Sequence, residues 1–322
     1  MNNALIRHLQ SLREISGGFR ASRVILTANN FEVFERLKTA KTCGALARRI
    51  GTDRRATEIL LDALTALGLL EKTGSRYRNA FLAATFLVKQ SPWYQGDMLR
   101  HLDTLWTNWS GLDDVMRTGI PNRAGKRHHD SFIRAMHNNA VFRAKDVIRA
   151  VNIRGVKKAL DLGGGPGTYS VEMARQGIAV TLFDQPGTMA IAKEFLRKAK
   201  MKDIECIGGD FHTDDIGTGY DLVFISQIVH SLSIQESLRL IEKSYGALNP
   251  GGKIAIQEFY LGRDRAHPVP GALFSVNMLV NTAAGRCYTT REMRMWLTKT
   301  GFKGIRTTSL GDTIVMTGRK VK

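Results

Sequence analysis

The chain has 322 residues, of which 43% are hydrophobic, so it is long enough for two domains and can bury a substantial core. Its three cysteines lie far apart and form no C-x-x-C motif. This argues against a zinc site and a disulfide scaffold, and we expect a cytoplasmic protein. The net charge of +18 is spread along the chain, which favours a basic protein with anionic substrates or surfaces over a dedicated nucleic-acid binder.

The first hundred residues predict a mainly helical domain with one hairpin. The opening MNNALIRHLQSLREI has apolar residues at helical spacing but no continuous apolar run, so it does not resemble a secretory signal. Apolar residues recur at i, i+3 and i+4 over residues 59–67, and Gly68 ends this helix. Two short strands then flank a turn at 73–75, which completes the order of a winged helix. No segment of the chain has the roughly 20 consecutive apolar residues that cross a membrane.

From about residue 156, short β-rich runs alternate with helical stretches. The runs are VKKALDLG, AVTLFD, IECIGGDF, YDLVFIS and KIAIQEFY, with late strands near GIRTTSL and TIVMTG. Strands that alternate with helices predict a parallel sheet with helices on both faces. We therefore predict an α/β domain over 156–322, preceded by a winged-helix-like domain over 1–100 and by connecting helices over 101–155.

A glycine-rich turn follows the first of these strands. Asp161 ends the strand, and Gly163, Gly164, Gly165 and Gly167 come next. The turn lacks the Gly-Lys-Ser/Thr of a triphosphate loop, and its G-x-G-x-G spacing fits the dinucleotide fingerprint poorly. Glycines here let the backbone approach a ligand closely, although a tight turn without a ligand would produce the same composition.

The next two strand ends make a nucleoside the better interpretation. Asp184 ends the second strand, 23 residues after Asp161, where a carboxylate can accept hydrogen bonds from both hydroxyls of a ribose. Asp210 and Phe211 end the third, where they can bind an exocyclic amine and pack on an adenine face. Together the strand ends suit an adenosine without phosphates, as in S-adenosylmethionine. Asp161 would then help to orient the amine of the cofactor.

These motifs resemble those of the class I methyltransferases of the plant-type small-molecule O-methyltransferase group, which includes bacterial hydroxyneurosporene- and acetylserotonin-methyltransferase-like members. LDLGGGPG, FDQPG and GGDFH resemble the first three motifs of the family. NPGGKIAIQE and AAGRCYTTREMRMWLTKTGF resemble later ones, and LARRIGTDRRATEILLDALTALGLLEKTGSRYR is similar to the winged-helix dimerisation domain. The resemblance implies a Rossmann-like methyltransferase domain over 156–322, pocket-lining helices over 101–155 and a homodimer with intertwined N-terminal helices.

The resemblance also implies a cofactor site and part of an acceptor site. Phe132, Met136 and His137 match a Phe-x-x-x-Met helix of the family, and the helix before Gly285 is expected to face the acceptor. The residues expected to bind S-adenosylmethionine are Asp161, Gly163, Gly165, Gly167, Asp184, Gln185, Asp210, Phe211 and Ser226. Those expected to bind the acceptor are Phe132, Met136, His137, Asn277, Met278 and Asn281.

A histidine and a glutamate are the candidates for catalysis. The capping box S-x-x-E at Ser233 predicts that a helix begins just after this residue. His230 then lies between strand and helix at the carboxyl edge of the sheet, where open α/β sheets bind ligands. The resemblance implies that His230 is the catalytic base and that Glu258 orients it. An imidazole can take the proton of a phenol near neutral pH, and we expect no metal.

Two departures from the family pattern keep other chemistries open. Ser231 stands where the family has an aspartate, and Cys287 falls near its second glutamate. The main hypothesis is methyl transfer to a hydroxyl of a small aromatic or polyene-like molecule, and transfer to carbon or nitrogen is the alternative. A nucleic-acid binder with a ligand-sensing methyltransferase-like domain is a third hypothesis, in which the arginines at 48, 49, 54 and 55 would contact DNA. We expect a small-molecule acceptor and a second copy as partners, and no nucleic acid.

Overall fold

A computed structural model describes residues 3–125 and 129–321. The chain divides into two compact units, Met1–Asp103 and Thr104–Lys322. Within the described ranges, no helix combines the length and the apolar character that a membrane crossing requires.

The N-terminal unit contains a winged-helix arrangement of helices and strands. Thr42 caps helix α4 (Cys43–Ile50) by accepting a hydrogen bond from Ala45 N at 3.3 Å, and Asp53 caps helix α5 (Arg54–Ala66) through Ala56 N at 2.7 Å. Three antiparallel strands, β1 (Lys41–Thr42), β2 (Leu70–Thr73) and β3 (Arg76–Asn79), pair in the order β1-β3-β2. The elements up to residue 109 are α1 (Asn3–Gly17), α2 (Phe19–Asn30), α3 (Val33–Arg36), β1 (Lys41–Thr42), α4 (Cys43–Ile50), α5 (Arg54–Ala66), β2 (Leu70–Thr73), β3 (Arg76–Asn79), α6 (Phe81–Phe86) and α7 (Gly96–Trp109).

The C-terminal unit alternates strands with helices, as the sequence pattern predicts. A 3₁₀ turn, Val229–Ser231, lies between β7 (Tyr220–Ser226) and α13 (Ile234–Ala247). The remaining elements are α8 (Leu112–Thr118), α9 (His129–Ala140), α10 (Ala144–Val151), β4 (Lys158–Leu162), α11 (Thr168–Ala174), β5 (Ala179–Asp184), α12 (Pro186–Lys198), β6 (Glu205–Gly208), β7 (Tyr220–Ser226), α13 (Ile234–Ala247), β8 (Leu248–Leu261), α14 (Val269–Asn281), β9 (Tyr288–Thr289), α15 (Thr290–Thr300), β10 (Lys303–Leu310) and β11 (Thr313–Arg319).

The main sheet has the strand order β10-β11-β8-β7-β4-β5-β6, and β9 pairs with β8 off this path. Strands β4 to β8 run parallel, while β10 and β11 are antiparallel to each other and β11 is antiparallel to β8. The chain reverses its winding direction at β4, which pairs with β5 on one side and with β7 on the other. Such a reversal opens a crevice at the carboxyl ends of the strands, and ligands bind there.

Apolar residues bury both faces of this sheet. Side chains alternate between the two faces of a strand, so Leu160 and Leu162 join one apolar cluster while Ala159 joins the other. The same alternation in β7 places Val223 on the first face and Phe224 on the second. Because both faces are covered, the crevice at the strand ends is the open edge of the sheet. The structure therefore confirms the predicted α/β fold with a helical N-terminal domain.

Candidate functional site

The glycine loop after β4 adopts backbone conformations that other residues rarely take. Gly163, Gly165 and Gly167 have φ angles of +71°, +54° and +77°. A Cβ atom on Gly163 would lie 2.5 Å from Ile228 Cδ1, and one on Gly167 would lie 2.8 Å from Leu182 Cδ1. At Gly165 a Cβ atom would meet nothing within 4 Å. Gly163 and Gly167 are thus needed for close packing, and Gly165 borders open space that a ligand can occupy.

Asp161 lies at the base of this loop with one oxygen unsatisfied. Its side chain is fully buried, and its Oδ2 accepts a hydrogen bond from Ser170 Oγ at 2.6 Å. Its Oδ1 has no hydrogen-bond partner among the described residues. Burial raises the pKa of Asp161 to about 7, and the charge of Asp184 acts in the same direction. A buried acceptor without a donor suits a ligand that brings one, such as an amine.

Asp184 connects the end of β5 to the glycine loop. Its Oδ2 accepts a hydrogen bond from Gly165 N at 2.7 Å, and its Oδ1 accepts one from Gln185 N at 2.7 Å. Each carboxylate oxygen has a second lone pair, so both can still accept hydrogen bonds from the hydroxyls of a ribose. Gln185 occupies the N-cap position of α12.

The end of β6 brings Asp210 and Phe211 to the same edge. β5 and β6 pair in parallel with Asp184 opposite Gly208, and Gly209 N donates to Asp184 O at 2.9 Å. Asp210 is exposed, and its Oδ1 accepts a hydrogen bond from the backbone of the residue two positions on, at 2.9 Å. Phe211 is half-buried. Both residues remain accessible to a ligand that lies along the strand ends.

Ser226 ends β7, and its hydroxyl is already engaged. Ser226 Oγ donates to Gln257 Oε1 at 2.7 Å, across the pairing of β7 with β8. Gln257 is fully buried, and Gln227 Nε2 also donates to its Oε1, at 3.2 Å. The amide of Gln257 thus joins the ends of two neighbouring strands, one residue before Glu258.

His230 and Glu258 form a buried pair at the carboxyl edge. His230 Nδ1 lies 2.7 Å from Glu258 Oε2, and the backbone N of His230 donates to Glu258 Oε1 at 3.3 Å. The two residues are 9% and 1% exposed. One carboxylate therefore fixes both the ring and the backbone of His230. Within the described residues, Nε2 of the ring makes no hydrogen bond.

The 3₁₀ turn that carries His230 is constrained by the helix that follows. Ser233 caps α13, and Glu236 completes a capping box in which each side chain binds the backbone of the other residue. The helix begins at Ile234, as the sequence predicts. Ile228, two residues before His230, packs against Gly163. The histidine turn and the glycine loop are thus in direct contact.

Phe274 and Cys287 lie near the His230–Glu258 pair. Phe274 of α14 presents its ring at 87° to the imidazole of His230, with the ring centroids 4.9 Å apart. Cys287 is 1% exposed. Burial raises the pKa of its thiol to about 12, and the charge of Glu258 also acts to raise it. Near neutral pH the thiol is uncharged, so Cys287 adds no negative charge beside Glu258.

A polar network holds α14 one turn beyond Phe274. Asn281 Oδ1 accepts a hydrogen bond from Asn108 Nδ2 at 2.7 Å, and Asn277 Oδ1 accepts one from Trp109 Nε1 at 2.9 Å. Asn281 Nδ2 also donates to Asn277 Oδ1, at 3.1 Å. Asn277 Oδ1 thus accepts two hydrogen bonds within this network. Asn108 and Trp109 lie some 170 positions earlier in the sequence, and no local pattern indicated them.

Comparison with known proteins identifies the family. A family model described as an O-methyltransferase domain matches residues 117–303, and one described as an O-methyltransferase dimerisation domain matches residues 13–89. The chain belongs to the O-methyltransferase family. A 3-hydroxy-5-methyl-1-naphthoate 3-O-methyltransferase from Streptomyces sahachiroi is 31% identical, over 92% of this chain and 90% of the relative. The tetracenomycin polyketide synthesis 8-O-methyl transferase TcmO from Streptomyces glaucescens is 30% identical, over 98% of each chain.

Solved structures agree with this assignment. Human N-acetylserotonin methyltransferase in complex with SAM superimposes with a TM-score of 0.90, at 26% identity and over 100% of both chains. The protein is therefore an S-adenosylmethionine-dependent O-methyltransferase that carries a dimerisation domain. The glycine loop fits this cofactor, because the amino-acid part of S-adenosylmethionine needs close backbone contacts. The oxygen of Asp161 that has no partner among the described residues also fits, because the cofactor brings an amine.

The candidate acceptor residues of this O-methyltransferase lie on two helices. Met278 is 7% exposed and sits on α14 between Phe274 and Asn281. On α9, Phe132 is 42% exposed and Met136 is half-buried.

His137, also on α9, contacts α11 and α12. Its Nδ1 lies 2.9 Å from Thr168 Oγ1, and its ring packs on Phe195 at 4.3 Å. Burial, with a smaller contribution from the charge of Lys198, lowers the pKa of His137 to about 4. His137 is therefore neutral near pH 7, and it binds Thr168, the residue directly after the glycine loop, through a hydrogen bond and not through an ion pair. Over residues 3–125 and 129–321, no three His, Cys, Asp or Glu side chains are grouped so that they could hold a metal ion.

Proposed function

We propose that this O-methyltransferase acts on the hydroxyl of a small aromatic molecule and that His230 is the general base. The observation that carries the proposal is the 2.7 Å contact of His230 Nδ1 with Glu258, which leaves Nε2 without a partner among the described residues. With Nδ1–H donated to the carboxylate, Nε2 carries the lone pair and can accept the proton of a hydroxyl. Glu258 then stabilises the imidazolium, as the acid of a catalytic triad does.

The strand ends of β4 to β6 would hold the cofactor. Asp184 would bind the ribose hydroxyls, with Gln185 beside it, while Asp210 and Phe211 would bind the adenine. The glycine loop and Asp161 would receive the amino-acid part, and Ser226 would contribute through its position at the end of β7. When bound, S-adenosylmethionine supplies an electrophilic methyl group on a sulfonium. The contact between Gly163 and Ile228 supports this placement, because it brings the histidine turn beside the loop.

The acceptor is proposed to be a fused or substituted aromatic ring that bears a hydroxyl. The relatives named above act on a hydroxynaphthoate and in tetracenomycin polyketide synthesis, and both transfer to oxygen by name. Phe274 offers a flat apolar contact next to His230. Asn277 lies three residues further along α14, about 5 Å away along the helix axis. Its side-chain amide nitrogen can donate a hydrogen bond to a polar substituent of the ring. Met278, Asn281, Phe132, Met136 and His137 stay candidates for the same pocket.

The partners are proposed to be this small molecule and a second copy of the chain. Helix α1 has no buried residue, and it exposes a stripe of apolar side chains at helical spacing, namely Leu5, Leu9, Leu12 and Ile15. Such a stripe is stable in water when another apolar surface covers it. We propose a cytoplasmic location, which the three free cysteines support.

The test replaces His230 with Ala and with Gln. Turnover is followed with 3-hydroxy-5-methyl-1-naphthoate as acceptor, and the affinity for S-adenosylhomocysteine is measured separately by calorimetry. We expect kcat to fall by about 10²- to 10⁴-fold, the usual contribution of a positioned base, while cofactor affinity is retained.

His267 provides a matched control for this test. Its Nδ1 lies 2.6 Å from Asp264 Oδ2, but the pair is exposed on the surface. His267→Gln should keep wild-type turnover. If both His230 variants keep wild-type turnover, then His230 is not the general base.

A further inference from the structure

The histidine turn is also held by a separate segment of the chain, residues 285–288. Tyr288 OH donates a hydrogen bond to Leu232 O at 2.6 Å, two residues after His230. Tyr288 is 2% exposed, and its ring meets that of Trp296 edge to face with 4.7 Å between the centroids. A phenol in this position has little freedom, so its hydroxyl fixes the end of the 3₁₀ turn.

Gly285 packs directly against the backbone of the turn at His230 and Ser231. A Cβ atom on Gly285 would lie 2.4 Å from His230 O and 3.0 Å from Ser231 Cα. Real Cβ atoms do not approach backbone oxygens this closely, so any other residue would displace the turn. The φ angle of Gly285 is not in the left-handed region, and the close contact is therefore the reason for glycine here. Gly285 N also donates to Thr282 Oγ1 at 2.9 Å, which holds the segment in place.

The segment is itself tied to the element that carries Glu258. Tyr288 pairs with Tyr260 of β8, two residues beyond Glu258. Arg286 forms an ion pair of 2.8 Å with Glu292, whose carboxylate also caps α15. Glu258 and Tyr288 are thus fixed to one strand, and they reach His230 and Leu232 from there.

We propose that Gly285 and Tyr288, the two ends of a clamp over residues 285–288, are positioning residues for His230. The inference rests on the proposed role of His230 as the base. Transfer of the hydroxyl proton to His230 requires that the imidazole Nε2 and the acceptor oxygen are aligned, and a misplacement of about 1 Å can cost about 10²-fold in rate. The clamp acts on His230 through the backbone of the turn.

The test compares Gly285→Ala and Tyr288→Phe with matched controls on α13. Gly246→Ala adds a methyl group where nothing lies within 4 Å, and Tyr245→Phe removes a hydroxyl that makes no hydrogen bond among the described residues. We expect the clamp variants to lose about 10- to 100-fold in kcat and to bind S-adenosylhomocysteine with wild-type affinity. The controls should match wild type. Wild-type kcat in Tyr288→Phe would overturn the proposal even where Gly285→Ala does not fold.

A double-mutant cycle separates this proposal from the proposed function. If the clamp acts through His230, then adding Tyr288→Phe to His230→Ala should cause no further loss of kcat. A further loss equal to that in the wild-type background would overturn the clamp proposal and leave the base assignment intact. An active His230→Ala enzyme would instead overturn the base assignment and, with it, the clamp proposal.

Acceptor acidity provides the second readout. In a series of 3-hydroxy-1-naphthoates with electron-withdrawing ring substituents, the hydroxyl needs progressively less help from a base. The kcat deficit of Tyr288→Phe should shrink along this series. A deficit of constant size for all acceptors, accompanied by a lower melting temperature, would show a merely structural role and would overturn the proposal.

Discussion

Replacing Glu258 with Gln tests how much the carboxylate contributes to catalysis. The variant keeps the shape of the side chain and an acceptor for His230 Nδ1, but it removes the charge that stabilises the imidazolium. The 2.7 Å contact places the two charge centres about 4 Å apart, which corresponds to about 4 kcal/mol at an effective dielectric constant of about 20. This energy is an upper bound equivalent to about three decades in rate, and we expect kcat to fall by about 10- to 1000-fold.

The assay measures initial rates at saturating cofactor, with 3-hydroxy-5-methyl-1-naphthoate as acceptor. Binding of S-adenosylhomocysteine and the melting temperature are recorded for the same preparations, because Glu258 is buried and its replacement can also affect folding. Glu242→Gln on the exposed side of α13 is the charge-matched control. A folded, cofactor-binding Glu258→Gln enzyme with kcat within twofold of wild type would refute the electrostatic role.

Three further predictions concern the cofactor loop. Asp184→Asn should weaken S-adenosylhomocysteine binding about 10- to 100-fold by calorimetry, because it removes charged acceptors for hydroxyl donors; unchanged affinity would place the ribose elsewhere. Asp161 has a folded-state pKa of about 7, above its unfolded value, so its stabilising contribution is complete below about pH 4 and is lost as pH rises to about 7. Asp161→Asn should remove this pH-dependent part of the free energy of unfolding, as measured from urea-unfolding curves between about pH 4 and about pH 7. An identical pH dependence in the variant and the wild type would contradict the raised pKa of Asp161. Gly163→Ala should lower the melting temperature more than Gly74→Ala, since both have positive φ but only Gly163 faces Ile228; equal effects would show that backbone strain dominates.

The positions of the strand ends followed from local patterns in the sequence. The runs AVTLFD and YDLVFIS correspond to β5 and β7 residue for residue, because short β-branched and aromatic runs between turn residues are stable as strands. The capping box at Ser233 set the start of α13 and so left His230 in the turn before it. These features depend on neighbours within a few positions, and such neighbours are visible in sequence.

Other features depend on contacts between distant parts of the chain. The pairing of Asn108 with Asn281 and the support of Leu232 by Tyr288 join residues 173 and 56 positions apart. Their hydrogen bonds form only after the helices have packed, and neither residue type nor spacing indicates the partner. The hydroxyl of Ser226 is a further case, since only the pairing of β7 with β8 shows that it binds Gln257.

The sequence by itself determined the alternation of strands and helices along the C-terminal part of the chain, the glycine loop and the family to which the chain belongs. Each of these depends on short contiguous motifs. The tertiary structure decided which side chains meet. It placed the carboxylate of Glu258 on His230, left an oxygen of Asp161 without a partner among the residues that the structure describes, and set Gly285 against the histidine turn. The physical reason is that a side chain's partner depends on the register of the strands and the packing of the helices, which arise only when the whole domain has folded.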